Sequence, residues 1–139
     1  MAAPRAENRT VLTDAAGRQM TIPEKSSGPV ITMTLRDEAG DPVPLAAINA
    51  ATLTIYARDE ASQPIINTVD HVNVLNSGRG SIHGTSGLVT LALESADNSI
   101  HNSANDLEWH RCLIEVTYNA TQRLKYEIEY PVRNLNKVS

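Results

Sequence analysis

Apolar and polar residues alternate along much of the chain after residue 30. The clearest segment is RLKYEIEYPV, residues 123–132, in which every second position is apolar and the positions between are mainly charged. A period of two is typical of a β-strand with one buried and one solvated face. We therefore predict a strand here, with Glu127 and Glu129 on its wet face.

Five further segments show the same alternation, at residues 30–35, 51–57, 68–75, 87–93 and 111–118, and the third is the weakest. Each predicts a strand whose apolar positions point into a shared core. The residues predicted to face inward are Ile31, Met33, Leu35, Leu53, Ile55, Ala57, Val72, Val74, Val89, Leu91, Leu93, Cys112, Ile114, Val116 and Tyr118.

Turn residues separate these segments, as in EAGDP, DEASQP, NSGRG and YNATQR. Residues 95–106 have room for one or two helical turns, with Ser95 as N-cap and Asp97 near the positive end. Short strands with regular turns predict an all-β fold, an antiparallel immunoglobulin-like β-sandwich of about seven strands with an extended N-terminal arm. Antibody kinship is not supported, because one cysteine cannot form the inter-sheet disulfide on which Trp109 would pack.

The chain divides at Pro29 into residues 1–28, which are mostly small and polar, and a β-sandwich domain, residues 29–139. VLTDAAGRQMTI, residues 11–22, is compatible with a small hairpin around its Asp-Ala-Ala-Gly turn. It is equally compatible with an arm that orders only against a partner. The residues predicted to contact such a partner are Arg9, Val11, Leu12, Met20 and Ile22, joined by Tyr56 on the face opposite Leu53 and Ile55.

The net charge and the sequence of the chain argue against several classes of function. The chain has 139 residues and a formal net charge of −4, which argues against a nucleic-acid partner because phosphate binding needs clustered basic residues. No apolar run is long enough to span a membrane, and the N-terminus lacks the apolar core of a secretory signal. A single cysteine excludes an intrachain disulfide and suits folding in a reducing cytoplasm.

The stretch LRDEAGDPVPL, residues 35–45, gathers the carboxylates Asp37, Glu38 and Asp41 and is the nearest approach to a cation site. Calcium needs six to eight oxygen ligands organised by one loop, and the spacing D-E-x-x-D lacks the D-x-D-x-D pattern. A polar turn that ends a strand explains the same residues. We predict the turn.

Catalytic and metal sites find no support in the sequence. The histidines, His71, His83, His101 and His110, are scattered, so we interpret them as solvated strand and loop residues rather than zinc ligands. Cys112 lies in a predicted buried face, where its thiol would be inert. GRGSIHG is interpreted as a flexible loop, since no phosphate-binding helix follows it. We predict a protein that is not an enzyme and has no cofactor, metal or small-molecule substrate.

In residues 31–60 a strand leads to a D-x-x-G-x-P-V-x-L turn, which begins at Asp37, and then to a T-x-x-I strand. This order resembles a pattern common in tailed-bacteriophage virion proteins. It is similar to the N-terminal immunoglobulin-like domain of the phage baseplate upper protein family, and the resemblance extends over about residues 30 to 133. One departure is the closing turn, where Asn119 begins Asn-Ala-Thr-Gln in place of an acidic-Gly turn. The matching residues are Asp37, Gly40, Pro42, Val43, Leu45, Ala51, Leu53, Ile55, Gly87, Val89, Leu93 and Asp97.

The resemblance implies a structural virion protein, made in the host cytoplasm, whose partners are other virion proteins and copies of itself. A tail, baseplate or adaptor protein is the leading expectation, and a capsid decoration or head–tail connector protein is the next. Assembly through the N-terminal arm and through sheet edges would fit both. The alternative of another class is a host-surface or carbohydrate-binding module, which would need exposed aromatic residues.

Overall fold

The computed structural model describes residues 8–13, 16–27 and 30–137, and it builds them almost entirely from strands and their connections. Helical structure in these ranges is limited to one-turn 3-10 helices at Leu45–Ala47, Ser95–Asn98 and Leu135–Lys137. The strands of these ranges are β1 (Asn8–Val11), β2 (Ile22–Pro23), β3 (Val30–Thr34), β4 (Ile48–Ala57), β5 (Val72–Asn73), β6 (Gly80–Ile82), β7 (Leu88–Ala92), β8 (Leu107–Tyr118) and β9 (Gln122–Arg133).

The strands form two sheets. The large sheet has the order β1-β9-β8-β4-β5, with β2 also paired to β9, and the small sheet has the order β3-β7-β6. The predicted all-β class is confirmed. Pairing is antiparallel except at β9, where β1 and β2 both run parallel to it.

The hairpin of β8 and β9 is the longest pairing in the described structure. It runs without a register shift from Leu107 opposite Arg133 to Tyr118 opposite Gln122. Its turn is tight, because Asn119 and Ala120 both adopt left-handed backbone conformations, with φ values of 48° and 68°. Most of the large sheet is therefore positioned by this one pair of strands.

Both sheets send side chains into one hydrophobic cluster. The predicted inward residues are buried there, with three exceptions. Met33 and Tyr126 are only partly buried, and Val72 is 37% exposed because β5 is a two-residue strand at the edge of the sheet. Period-two patterning thus predicted most of the core.

The predicted wet face of β9 is wrong at two positions. Glu127 and Glu129 are 7% and 5% exposed, although Lys125 on the same face is exposed. β1 lies alongside this part of β9, and arginine side chains from β8 and from the end of β4 pack onto it. The charged positions alternate as predicted, but neighbouring side chains cover them.

The described part of residues 1–28 belongs to the large sheet of its own chain. The Leu12 amide donates to the Glu129 carbonyl at 2.8 Å, which continues the pairing of β1, and the Met20 amide donates to the Leu12 carbonyl at 3.0 Å. A bridge between Thr13 and Gln19 makes this a narrow hairpin, one of the two predicted possibilities. The predicted boundary at residues 28 and 29 lies outside the described residues.

The predicted turn in LRDEAGDPVPL is confirmed. The Asp37 carboxylate accepts hydrogen bonds from the amides of Ala39 and Asp41, both at 3.0 Å, and Gly40 takes a φ of 88°. This loop joins β3 to β4 after a single bridge between Arg36 and Pro42. The carboxylate of Asp37 is thereby used in shaping the turn.

Two other local predictions need correction. The helical turn at Ser95–Asn98 exists, but Glu94 is its N-cap, and the side chain of Asp97 accepts from the Glu94 amide. GRGSIHG was predicted as a flexible loop, whereas Gly80–Ile82 forms β6. The strand there is short and contains a glycine, so its sequence lacks the alternation that identifies a strand.

A substitution at Gly87 tests the close backbone packing at the corner between the two sheets. Its φ is 71°, and a Cβ there would lie 2.9 Å from the carbonyl oxygens of Leu35 and Val43. We expect Gly87→Ala to lower the free energy of unfolding by about 2–4 kcal/mol, from backbone strain plus overpacking. Urea denaturation measures this change.

Gly84→Ala is the matched control, because a Cβ at Gly84 meets no atom within 4 Å. This variant should stay within about 0.5 kcal/mol of the parent protein. Equal stability of the two variants would contradict the described corner.

Candidate functional site

The predicted partner-contacting residues of the N-terminal segment lie against their own chain. Ile22 is 4% exposed and belongs to the hydrophobic cluster, and Leu12 and Met20 are partly buried against it. Arg9 and Val11 pair through the β1 backbone with Glu127 and Glu129, and their side chains lie outside the described structure. These residues hold the segment to β9.

The sixth predicted residue, Tyr56, belongs to a charged network on the outer face of the large sheet. Glu129 is its centre. Arg111 donates to Glu129 Oε1 from Nε at 3.0 Å and from Nη2 at 2.6 Å, while Arg58 donates from Nη1 to Glu129 Oε2 at 2.6 Å. Arg111 also donates to the Tyr56 hydroxyl at 3.0 Å. We call Tyr56, Arg58, Arg111 and Glu129 the arginine–glutamate network.

An arginine guanidinium group lies over each of the two aromatic rings on this face. The guanidinium of Arg58 lies 4.5 Å from the ring centroid of Trp109, and that of Arg111 lies 5.6 Å from the ring centroid of Tyr56. Such cation–π contacts contribute about 0.5–2 kcal/mol each. The predicted exposed tyrosine is half-buried, because the arginine that it binds also covers it.

The hydrogen bonds of the network keep Glu129, Arg58 and Arg111 ionised. Burial would raise the pKa of Glu129, but the hydrogen bonds from Arg58 and Arg111 outweigh burial and lower it. The pKa of Arg58 is raised, chiefly by its hydrogen bond to Asp59. Groups held ionised in this way do not exchange protons near neutral pH, so the network fixes the sheet surface and offers no general acid or base.

A second polar group is buried at the start of β8. His110 is fully buried, and its Nε2 lies 2.7 Å from Oε1 of Glu108, which is 2% exposed. The same carboxylate accepts the backbone amides of His101 at 2.8 Å and Asn102 at 2.7 Å. The interpretation of His110 as a solvated histidine is wrong, and the Glu108–His110 pair ties β8 to the connection that precedes it.

The sequence contained a signal for this pair. Glu108 and His110 precede Cys112 by four and two positions, so they continue the inward face of β8 that the alternation had predicted from Cys112 onward. The pattern was hidden because both residues are polar. Burial of such groups is tolerated only when they are hydrogen-bonded, and here each bonds the other.

A third polar group joins β6 to the turn after β7. Arg79 Nη1 pairs with Oδ2 of Asp97, whose side chain is fully buried, and Arg79 Nη2 lies 3.0 Å from Glu94 Oε2. The side-chain amide of Asn67 donates to Asp97 Oδ1 at 2.9 Å. These bonds anchor the small sheet to the connection that leads into β8.

The candidate nucleophile is sequestered. Cys112 is fully buried, which confirms its predicted position on the inward face, and burial raises the pKa of its thiol to about 12. Among residues 8–13, 16–27 and 30–137, no group of three or more His, Cys, Asp or Glu side chains is arranged to hold a metal ion.

The small sheet has two edge strands, β3 and β6, and β3 is the longer of them. β3 pairs with β7 on one side, and no described strand pairs with its other side, which we call the β3 edge. The Leu35 amide donates toward β7, to the Gly87 carbonyl at 2.9 Å. Because backbone groups point to alternate sides along a strand, the amides and carbonyls of Thr32 and Thr34 point to the β3 edge.

The outer face of the small sheet carries no charged side chain. Leu88 is 41% exposed and Val30 is 58% exposed, and the residues around them are small or hydroxylated. An uncharged strand edge beside an uncharged face lacks the lysines that usually protect such edges from pairing. The residues of this face are Val30, Thr32, Thr34, Ser81, Leu88, Thr90 and Ala92.

Comparison of the chain with protein-family models, with curated proteins and with solved structures gave no match. Within the described ranges, none of the helical turns is long and apolar enough to cross a membrane.

The Glu108–His110 pair predicts a specific response to acid. Burial would raise the pKa of Glu108, but the hydrogen bonds from His110, His101 and Asn102 lower it from 4.5 to about 2. A carboxylate with a lowered pKa stabilises the folded state above its unfolded pKa and loses that contribution as the pH falls toward the folded pKa. Glu108→Gln should therefore be about 3 kcal/mol less stable than the parent at pH 6.

The difference in unfolding free energy between parent and Glu108→Gln should shrink as the pH falls from about 4.5 to 2, because the parent then loses the same charge. Urea denaturation at a series of pH values measures it. Asp106→Asn, at an exposed carboxylate, is the control and should show a small difference throughout. A Glu108→Gln difference that is constant with pH would contradict a Glu108 carboxylate held ionised by these hydrogen bonds.

Proposed function

We propose that this chain is a structural component of a bacteriophage particle, a tail, baseplate or adaptor module that assembles in multiple copies through the β3 edge. The observation that carries the mode of assembly is the uncharged open edge of Val30–Thr34. The resemblance of residues 30–133 to a phage baseplate family supports the virion location. Capsid decoration or a head–tail connector would use the same edge in another part of the particle.

The proposal includes an immunoglobulin-like assignment of the two sheets. In such domains strands B, E and D share one sheet, and strands C, F and G share the other, with C′ added in variable-type domains. The order β3-β7-β6 corresponds to B-E-D, and the order β9-β8-β4-β5 corresponds to G-F-C-C′. In this assignment β1 is an N-terminal strand that runs parallel to G.

The buried pair at the start of β8 supports the same assignment. Immunoglobulin-like domains often place a tyrosine near the start of strand F, two residues before the cysteine, with its hydroxyl bonded to upstream backbone. Here His110 stands two residues before Cys112 and reaches the upstream backbone through Glu108. In this assignment the His110–Glu108 pair makes the link to upstream backbone that the tyrosine makes in other domains of this type.

A second copy of this chain is the partner that the β3 edge fits. Residues 26–35 contain no charged side chain, so two copies with a net charge of −4 can bring these edges together without opposing like charges. An antiparallel arrangement with two-fold symmetry places each edge against itself, with donors facing acceptors. The two small sheets would then form one continuous sheet.

The energetics favour an array over an isolated dimer. Each new backbone hydrogen bond contributes about 0.5–1.5 kcal/mol net, and a five-residue strand supplies only a few of them. One contact of this kind is weak, whereas many contacts in a particle reinforce one another by raising the effective concentration. Weak self-association in solution and firm incorporation in a particle are both expected.

The N-terminal segment has a smaller part in this proposal than the sequence suggested. Its described residues pair with β9 of their own chain, and Ile22 fills the core. These pairings already use the backbone amides and carbonyls with which the segment would otherwise bind a neighbouring subunit. The prediction that residues 1–28 order against adjacent subunits stays a prediction.

A carbohydrate-binding module is less well supported. Sugar recognition by stacking needs an aromatic face that is open to solvent. Trp109 and Tyr56 are the aromatic residues of the outer face of the large sheet, and each ring is covered by an arginine. The arginines would have to leave their bonds with Glu129 before a sugar could stack.

Thr32→Pro tests the β3 edge. Its amide points away from β7, so proline removes a donor from the open edge and no hydrogen bond from the internal ladder. We expect the variant to fold and to sediment as a monomer at concentrations where the parent protein self-associates. Sedimentation velocity and circular dichroism measure these two properties.

Thr32→Val is the matched control, because it keeps the amide and the β-branched shape. It should self-associate like the parent. Parental self-association by a folded Thr32→Pro variant would contradict assembly through this edge.

Location in the particle needs a separate observation. Antibody labelling of purified phage particles, viewed by electron microscopy, should show the protein at symmetrically repeated positions on the tail or baseplate. Absence of label from intact and partly disassembled particles would contradict the virion proposal, whatever the Thr32→Pro result.

A further inference from the structure

We propose that protonation of His71 controls how firmly the connection between β4 and β5 is held to the large sheet, so that this connection loosens when the imidazole loses a proton. The connection consists of residues 58–71, and we call it the strap. The device lies on the large sheet. It is separate from the β3 edge and goes beyond the proposed assembly contact.

The strap takes the place of a strand along the second half of β4. The Ile55 amide donates to the Val69 carbonyl at 2.9 Å, and the Ile66 amide donates to the Ile55 carbonyl at 2.8 Å. Ile66 and Val69 are 3% and 2% exposed and belong to the hydrophobic cluster. Because β5 pairs with only two residues of β4, loosening of the strap would expose backbone donors and acceptors of β4.

The backbone of the strap is strained. Left-handed conformations are unfavourable for residues other than glycine, and most of all for a β-branched residue such as Thr68. The strap contains no glycine, so other contacts must hold it in place. The strap residues with positive φ, all between 45° and 60°, are Ser62, Gln63, Asn67, Thr68 and His71.

His71 ties the end of the strap to the strands beside it. Its amide donates to Thr54 Oγ1 of β4 at 3.0 Å. Its imidazole Nδ1 lies 2.6 Å from Oδ1 of Asp70, within the strap, and its Nε2 lies 3.2 Å from Oε1 of Glu115, on β8. Each ring nitrogen thus faces a carboxylate, and only an imidazolium, which has a proton on both nitrogens, donates to both.

The two distances decide which contact is lost on deprotonation. A neutral imidazole keeps one proton, and the shorter contact, to Asp70, keeps it on Nδ1. Nε2 then gives its proton to the solvent, to which the side chain is 63% exposed, and turns a lone pair toward the Glu115 carboxylate. The hydrogen bond to β8 is lost, whereas the hydrogen bond within the strap remains.

The charges around His71 determine the direction of the pH dependence. The hydrogen bond to Asp70, followed by the charges of Asp70 and Glu115, raises the pKa of His71 above its ordinary value of 6.5. A group with a raised folded pKa contributes stability that is complete below its unfolded pKa and is lost as the pH rises through the folded pKa. The strap is therefore held most firmly in mild acid.

The other strands packed around this contact do not reverse that direction. β4 and β5 contain no charged side chain. On β9 a lysine lies directly opposite Glu115, and this lysine stays charged over the pH range in which a histidine titrates. The charged residues of β9 that lie opposite Glu115 or two positions from that point are Arg123, Lys125 and Glu127.

Nitrogen-15 NMR of the imidazole rings tests the placement of the protons. A titration of the parent protein from about pH 5 to 9 should give His71 a pKa above that of a free histidine and a neutral form with its proton on Nδ1. A neutral form with its proton on Nε2, or a pKa at or below the ordinary value, would overturn the proposal.

Amide hydrogen exchange measures the hold on the strap. Protection factors at Ile55 and Ile66, corrected for intrinsic exchange rates and divided by that at Ile128 in the hairpin, should fall by about twofold to fivefold from pH 6 to 8.5. The range is small because the ion pair is exposed to solvent. A ratio that is constant with pH, or that rises, would overturn the proposal.

Glu115→Gln locates the effect. Its side-chain amide can donate to the neutral Nε2, so the variant should lose the pH dependence at Ile66 while His71 still titrates. His101→Gln is the matched control, because it removes another exposed histidine and should keep the parental pH dependence. Parental pH dependence in folded Glu115→Gln, or its loss in His101→Gln, would overturn the assignment to His71.

Discussion

The structure depends on the pairing of β8 with β9 along its full twelve-residue length. A tight turn closes the hairpin at Asn119, so each residue of one strand has a fixed partner on the other. A one-residue slip would move the whole apolar face to the wrong side of the sheet. The other strands of the large sheet lie on the two sides of this hairpin, with β4 and then β5 beside β8 and the N-terminal strands beside β9.

The same constraint explains where the charges lie. A sheet surface covered by strand neighbours and long side chains excludes water from carboxylates such as Glu129, so these must be paired. Arg58 and Arg111 form ion pairs with Glu129. Their guanidinium groups also lie over the two aromatic rings of the outer face. These arginine side chains therefore cover this part of the outer face of the large sheet. The small sheet has no such cover, which is why its open edge is the better place for a partner.

Alternation predicted the strands and most of the core, because burial of one face has the same period as the strand itself. It could not predict the surroundings of Glu127, since cover by β1 and by arginines depends on contacts between residues distant in sequence. His110 was missed for the opposite reason, because a buried polar residue breaks the apolar pattern that marks a core position. The turn at Asp37 was predictable, since its hydrogen bonds are local.

Amide hydrogen exchange of the parent protein at increasing concentration tests the account most directly. At low concentration the amides of Thr32 and Thr34 should exchange fast and those of Cys112 and Ile128 slowly, because only the second pair lies in the interior of the hairpin ladder. As the concentration rises, protection should appear at Thr32 and Thr34 and leave the hairpin unchanged. Fast exchange at Thr32 and Thr34 at every concentration, alongside measured self-association, would contradict assembly through the β3 edge.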